Sequence, residues 1–308
     1  MTLKEILQTK YPIIQGGMAN IATAELCAAV SNAGGLGLIG CGGWDAVRVE
    51  SEIKKVKALT DKPFGVNIML MSPHAEALSD LVIKEGVKIV TTGAGNPGIY
   101  LDKWQKAGIK VIPVVPSVAY AKRLARKGVD ALVVEGTEAG GHIGETTTFT
   151  LVPQVVDAVD IPVIAAGGIA DARGFDAAIS LGAQGVQIGT VLLASEECPI
   201  HINYKKRIIK ARDTDTVVTG RNTGAPVRVI KNKMARHYLN LTKTNDVQLE
   251  ELEKLTLGSL KKAVFEGNMD DGSIMAGQVA GLVKHIRPVK EILEAIYENS
   301  FYVKAGKL

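Results

Sequence analysis

The 308 residues carry 46% hydrophobic side chains but only 5% aromatic ones, so the chain can fill an aliphatic core of one large domain, or one large and one small. The net charge of +4 conceals a basic stretch: residues 199–245 hold eleven lysines and arginines against two aspartates, a net +9, which leaves −5 elsewhere and marks a footprint for an acidic partner. Cys27, Cys41 and Cys198 are scattered with no Cys-x-x-Cys, and neither a signal core nor a membrane-length apolar run is present; a soluble, cytoplasmic protein is expected, with no disulfide scaffold, metal site or membrane role.

Eight short aliphatic runs precede Cys198: Pro12–Gln15, Leu36–Ile39, Phe64–Asn67, Ile89–Thr92, Lys110–Val115, Ala131–Glu135, Val163–Ala166 and Gly185–Ile188. None alternates cleanly between polar and apolar, as expected of parallel strands covered on both faces. Helical segments fill the gaps, with readable ends. Asn96-Pro97 opens one that Gly108 stops, Ser117 opens one that Gly128 closes, and Asp171 opens one that Gly182 closes. Val49, Ile53 and Val56 form the stripe of a helix packed on a sheet. Eight strand–helix units without a hairpin signal predict an α/β fold, a (β/α)8 TIM barrel. An open doubly wound sheet is the alternative, and the count of eight favours closure.

Beyond Cys198 the pattern changes. Tyr204–Ala211 reads as a basic helix, Thr216–Thr219 and Val227–Ile230 as strands, and Lys233–Leu241 and Gln248–Phe265 as helices. Residues 199–267 therefore read as a small inserted α/β lid, with 1–198 and 268–308 forming the barrel. Pro288–Asn299 is the expected closing helix.

In such barrels the working residues follow the C-terminal ends of the strands. Glycines cluster there: Gly16-Gly17-Met18, Gly93-Ala94-Gly95, Gly140-Gly141-His142, Gly167-Gly168 and Gly189-Thr190. Asn67, Glu135 and Gln187 lie at or near strand ends. A single glycine pair means only a tight turn. Two pairs on the loops after the seventh and eighth strands, where barrels bind phosphate, point to a phosphate-bearing ligand. No triphosphate-loop or dinucleotide-fold spacing is present, nor a Gly-x-Ser-x-Gly.

The stretch Glu135–Gly144 is a glycine wall with one imidazole, His142, which titrates near neutrality. It reads equally as a cofactor face with an acid/base group or as a turn. Glu135 reads as a hydrogen-bond acceptor for a ligand ring N–H or as a base. His74, His201, His237 and His285 read as solvated residues, and Cys41 as an inert small side chain.

Taken together, these residues resemble the flavin-dependent type II enoyl-acyl carrier protein reductases, relatives of the nitronate monooxygenases. The resemblance runs along essentially the whole chain. It is carried by Gln15-Gly16-Gly17-Met18-Ala19, Pro63–Met69, Thr91–Pro97, Glu135–Gly144, Ala165–Asp171 and Ser273–Leu282. It implies FMN as cofactor, with Gly17 and Met18 against the flavin and Asn67, Glu135 and Gln187 among its contacts. Gly140 and Gly141 would pass near the ring, and Gly167, Gly168, Gly189 and Thr190 would hold the phosphate. Met275, Gly277 and Gln278 belong to the stretch that would cover the ring. Two departures stand out: Val191-Leu192 replaces the Arg-Phe usual after Gly-Thr, and Asn20 stands where relatives often have Trp.

The activity implied is reduction of FMN by NADH or NADPH, followed by reduction of an enoyl thioester in fatty acid synthesis. His142 would then bond the thioester oxygen or deliver the α-proton, and the resemblance also implies a monovalent cation. The basic segment becomes a docking face for acidic acyl carrier protein, and a homodimer is compatible with the pattern. The rival activity is nitronate monooxygenase, with His142 as base and dioxygen as oxidant. A flavin-binding module without turnover is a third reading. Binding of nucleic acid is disfavoured, because the basic segment interleaves only Tyr204 and Tyr238.

Overall fold

The computed structural model describes residues 2–243 and 249–308. Its main sheet has eight parallel strands: β1 Ile13–Gln15, β2 Gly37–Gly40, β3 Phe64–Met69, β4 Ile89–Gly93, β5 Lys110–Val115, β6 Leu132–Glu135, β8 Val163–Ala166 and β9 Gly185–Ile188. The strand β7, Gly141–His142, belongs elsewhere. Hydrogen bonds run in the order β1-β9-β8-β6-β5-β4-β3-β2. The seam is then closed by a parallel bridge between Ile14 and Leu36. At that seam the Gln15 amide donates to the Leu36 carbonyl at 3.0 Å. The fully buried Gln15 side chain donates to the Leu38 carbonyl at 2.9 Å. The barrel is closed, and the open-sheet alternative falls.

Aliphatic side chains fill the barrel in two shells. Inside lie Ile14, Leu38, Ile89, Ile112, Val133 and Ile164, all buried. Outside, a larger core joins the strands to the helix ring. The inner shell is capped at its N-terminal end by a short helix, Leu3–Leu7, which sequence reading left unassigned. Thr2 and Glu5 form its capping box, which restrains a helix too short to persist alone. Burial of Leu3, Ile6 and Leu7 contributes about 1.5–3 kcal/mol per side chain. The helix Val289–Tyr297 packs between Ala24–Asn32 and Ala172–Ser180, as a closing helix should.

Asn96 caps only a short 3-10 turn, Pro97–Ile99, and a separate α-helix, Leu101–Lys106, follows in place of the one helix expected, whereas Ser117 and Asp171 cap as expected. Ser117 accepts from the Tyr120 amide at 3.4 Å, and Asp171 accepts from Arg173 and Gly174 at 3.0 and 3.3 Å. Beyond Cys198 the structure holds the helix Ile202–Ile209, the strands β10 Thr216–Thr219 and β11 Val227–Ile230, and the helix Lys233–Leu241. The single helix expected over Gln248–Phe265 is two, Leu249–Thr256 and Ser259–Val264, broken by Gly258 in the left-handed region. Gln248 lies outside the described residues. The strands β10, β11 and β7 form an antiparallel sheet, so this segment is hydrogen-bonded directly to Gly141 and His142.

Candidate active site

Strand register places the polar side chains. Glu135 on β6 pairs with Ala166 on β8, and Ala166 pairs with Gln187 on β9. Glu135 and Gln187 therefore stand at one level, one strand apart on either side of an alanine that leaves room between them. Asn67 on β3 is fixed differently: its Nδ2 donates to Thr91 Oγ1 at 2.8 Å on the neighbouring strand. All three line a cavity of about 410 Å³ at the C-terminal mouth of the barrel. That volume suits a small-molecule site, for which about 300–1,000 Å³ is ordinary.

The same cavity is lined by Gly17, Met18, Gly140, Gly141, His142, Gly167, Gly168, Gly189, Thr190 and Met275. Thirteen of the residues inferred from sequence thus converge on one space. Gly277 and Gln278 are not among its lining residues. Their main chain instead braces the wall: the Gly277 amide donates to Thr190 Oγ1 at 2.9 Å and the Gln278 amide to the Glu138 carbonyl at 2.9 Å. Glu138 itself lines the cavity and was missed. Its carboxylate accepts from the Thr148 amide at 2.8 Å and hydroxyl at 2.9 Å, tying the His142 loop to the next helix. The capping-box spacing does not announce such a contact, because donor and acceptor are ten residues apart.

Close approach explains one of the glycines, and backbone conformation another. A Cβ on Gly17 would lie 2.2 Å from Asn67 Cγ, so only glycine lets this wall meet Asn67. Gly168 takes φ +81°, directly after Gly167 at +96°, a turn that L side chains resist. On the loops after β8 and β9, the amides of Gly168, Gly189 and Thr190 have no acceptor among the described residues. The Thr190 hydroxyl accepts from Gly277 and keeps its own proton to donate. Together these donors suit an anion such as a phosphate.

Electrostatics separates the two titratable groups. Burial raises the Glu135 carboxyl to about 7, with no cation beside it to offset the cost. Burial lowers the pKa of His142, so the imidazole is neutral at pH 7. The His142 side chain reaches solvent through the cavity mouth while the surrounding walls partly desolvate it, and it has no hydrogen-bond partner among the described residues.

Elsewhere the structure sorts the remaining candidates. Cys41 is fully buried and its thiol is pushed up to about 12, consistent with an inert residue. His237 and His285 are exposed, whereas His201 is half-buried, its Nδ1 accepting from the Asn203 amide at 3.1 Å as a helix cap. Asn20 has φ +60°, a conformation asparagine tolerates, and its Oδ1 accepts from Trp44 Nε1 at 3.3 Å. Val191 and Leu192 are buried in the core, with no cation at either position.

A family model described as nitronate monooxygenase matches residues 1–299. The chain belongs to the nitronate monooxygenase family. Among solved structures it resembles FabK from Thermotoga maritima, with a TM-score of 0.94 and 47% identity over 99% of this chain and 97% of that one. A probable nitronate monooxygenase of Staphylococcus saprophyticus is 38% identical over 91% of this chain and 92% of its own length. The (3aS,4S,5R,7aS)-5-hydroxy-7a-methyl-1-oxo-octahydro-1H-indene-4-carboxyl-CoA dehydrogenase of Rhodococcus jostii is 33% identical over 97% and 95%. The relatives thus carry differently named activities. No helix among the described residues is long and apolar enough to cross a membrane.

Proposed function

We propose that this chain is an FMN-dependent enoyl-acyl carrier protein reductase, using NADH or NADPH to saturate the 2,3 double bond of enoyl thioesters. The observation that carries the reading is the likeness to FabK, a flavin-dependent enoyl-acyl carrier protein reductase, along nearly the whole of both chains. FMN would supply the hydride relay between nicotinamide and substrate. The cavity residues fit it. Asn67, Glu135 and Gln187 offer polar groups to the edge of a flat ring, Gly17, Gly140 and Gly141 leave its face clear, and the free amides with Thr190 suit its phosphate.

The chain's own contribution to chemistry centres on His142. Neutral at pH 7, its ring N–H can donate to the thioester oxygen as negative charge builds there. Because desolvation favours the neutral form, hydrogen-bond donation to the oxyanion is the role its environment favours over proton delivery. Met69, Val114, Pro116, Ile143, Leu260 and Met275 give the mouth an apolar lining suited to an acyl chain. The expected effect of His142→Ala is a kcat about 100- to 1,000-fold lower with FMN still bound. Unchanged turnover in that variant would remove His142 from the mechanism.

A second reading rests on the 38% identity to the probable nitronate monooxygenase and on the same neutral imidazole, which is competent to take a proton from a nitroalkane. Rapid dioxygen uptake with a nitroalkane, without NAD(P)H, would favour it.

Docking of an acidic carrier protein on the basic segment remains part of the proposal, but on fewer residues. Lys205 is buried, donating to the Ser195 and Glu196 carbonyls at 2.7 and 3.1 Å. Arg207 and Arg212 share Asp215, and Arg221 pairs with Glu145. Lys206, Lys210, Lys233 and Arg236 are exposed and form no ion pair among the described residues, so they are the cations offered to a partner.

A further inference from the structure

Strand β11 touches two walls of the cavity at once. At one end Val227 pairs with His142 and Arg228 with Gly141, and the Ile143 amide donates to the Pro226 carbonyl at 3.1 Å. At the other end Val229 bridges Met275, and the Ile230 amide donates to the Ile274 carbonyl at 2.8 Å. His142 and Met275 both line the cavity, so four consecutive residues of the insertion span between them.

Arg228 is the unexpected member of this strand. It is only 6% exposed and forms no ion pair among the described residues. Burial outweighs the attraction of the Glu138 carboxylate, which acts on the guanidinium without pairing with it; such burial is costly, and hydrophobic replacement of such groups is often tolerated. Its Nε donates to the Thr137 carbonyl at 3.0 Å and its Nη1 to Thr216 Oγ1 at 3.2 Å. The first bond crosses from the insertion to the loop that carries His142; the second anchors the guanidinium to β10. Outside, Arg221 pairs with Glu145 three residues past His142, a second tether between the same two segments.

We infer that β11 sets the position of His142 relative to Met275, and that Arg228 is the positioning residue that locks the His142 loop to it. The insertion is then part of the catalytic frame as well as a cover. The assignment rests on the reductase reading only for the step it affects. A displacement of about 1 Å in a catalytic group can cost about 100-fold in rate, so loosening this splint should slow the step His142 serves while sparing the step it does not.

The test uses the full-length protein with Arg228→Met, Arg228→Lys and the surface variant Arg221→Gln. In Arg228→Met, amide hydrogen exchange should accelerate at least about tenfold in both 137–145 and 273–277 and stay unchanged in 64–69. In protein saturated with FMN, flavin reduction by NAD(P)H should hold within about threefold, while kcat with a crotonyl thioester falls at least about tenfold. Arg228→Lys should recover part of that loss, and Arg221→Gln should speed exchange in 143–145 alone. Faster exchange confined to 216–230, or equal loss in both half-reactions, would overturn the inference. Exchange does not depend on the substrate, so a failure of the reductase reading would leave this arm of the test intact.

Discussion

Replacing Glu135 with glutamine removes a carboxyl that the fold holds near a pKa of about 7, against 4.5 for the free group. The folded state therefore keeps a proton that the unfolded chain releases. Stability from this group is full below about pH 4.5 and is lost as pH rises through 7. At about 1.4 kcal/mol per pH unit, the gap between 4.5 and 7 is worth about 3.5 kcal/mol. Glutamine has the same shape and no titration. Urea unfolding of wild type and Glu135→Gln, both freed of flavin, at about pH 5, 6, 7 and 8 measures the difference directly. The variant should gain on wild type by about 2.5 kcal/mol between pH 5 and 8, with most of the gain below pH 7.5. A constant difference at every pH would show that Glu135 titrates normally, and would refute the argument that its surroundings keep it protonated near neutrality.

Three further perturbations follow from the same geometry. Gly140→Ala places a Cβ 2.6–2.7 Å from the Ala276–Gly277 backbone; displacing that segment should weaken FMN binding at least about tenfold, a loss of about 1.4 kcal/mol, read by quenching of flavin fluorescence. Charge reversal at Lys206 and Lys210 should raise the KM for carrier-bound substrate several-fold and leave a coenzyme A thioester nearly unaffected, most clearly at low salt; equal effects on both would argue against docking there. Glu52→Ala removes a fully buried carboxylate that accepts from the Ala24 amide at 2.8 Å and from Arg48 and Lys55 at 3.1 Å. The orphaned amide alone should cost about 1–3 kcal/mol in urea unfolding, without changing turnover per folded molecule.

The barrel was readable because its strands are covered on both faces and so appear as unbroken aliphatic runs. Lys110–Val115, Val163–Ala166 and Gly185–Ile188 match the observed strands to the residue. Six of the thirteen cavity residues are glycines, readable because βα loops that press a ligand against main chain need glycine; the others came from their places at strand ends or from the family resemblance. What failed was long-range and side-chain specific. The pairing of Gly141–His142 with β11 leaves no periodic signal, since two residues cannot show alternation. The count of basic residues could not tell that Lys205 and Arg228 point inward, because charge is summed along the chain while burial is decided across it. Two misses did carry a local signal. Thr2 and Glu5 have capping-box spacing ahead of the Leu3–Leu7 helix, and Gly258 interrupts the run read as one long helix.

The central claim is enoyl reduction through FMN at the His142 face. Its most direct test is anaerobic mixing of the purified yellow protein with NADH or NADPH and then with a crotonyl thioester, following the flavin absorbance and the thioester product. The account predicts bleaching by the nicotinamide, recovery of absorbance on adding the enoyl thioester, and stoichiometric saturated thioester. Reduced flavin that the thioester fails to reoxidise, together with oxygen-dependent turnover of a nitroalkane, would contradict it.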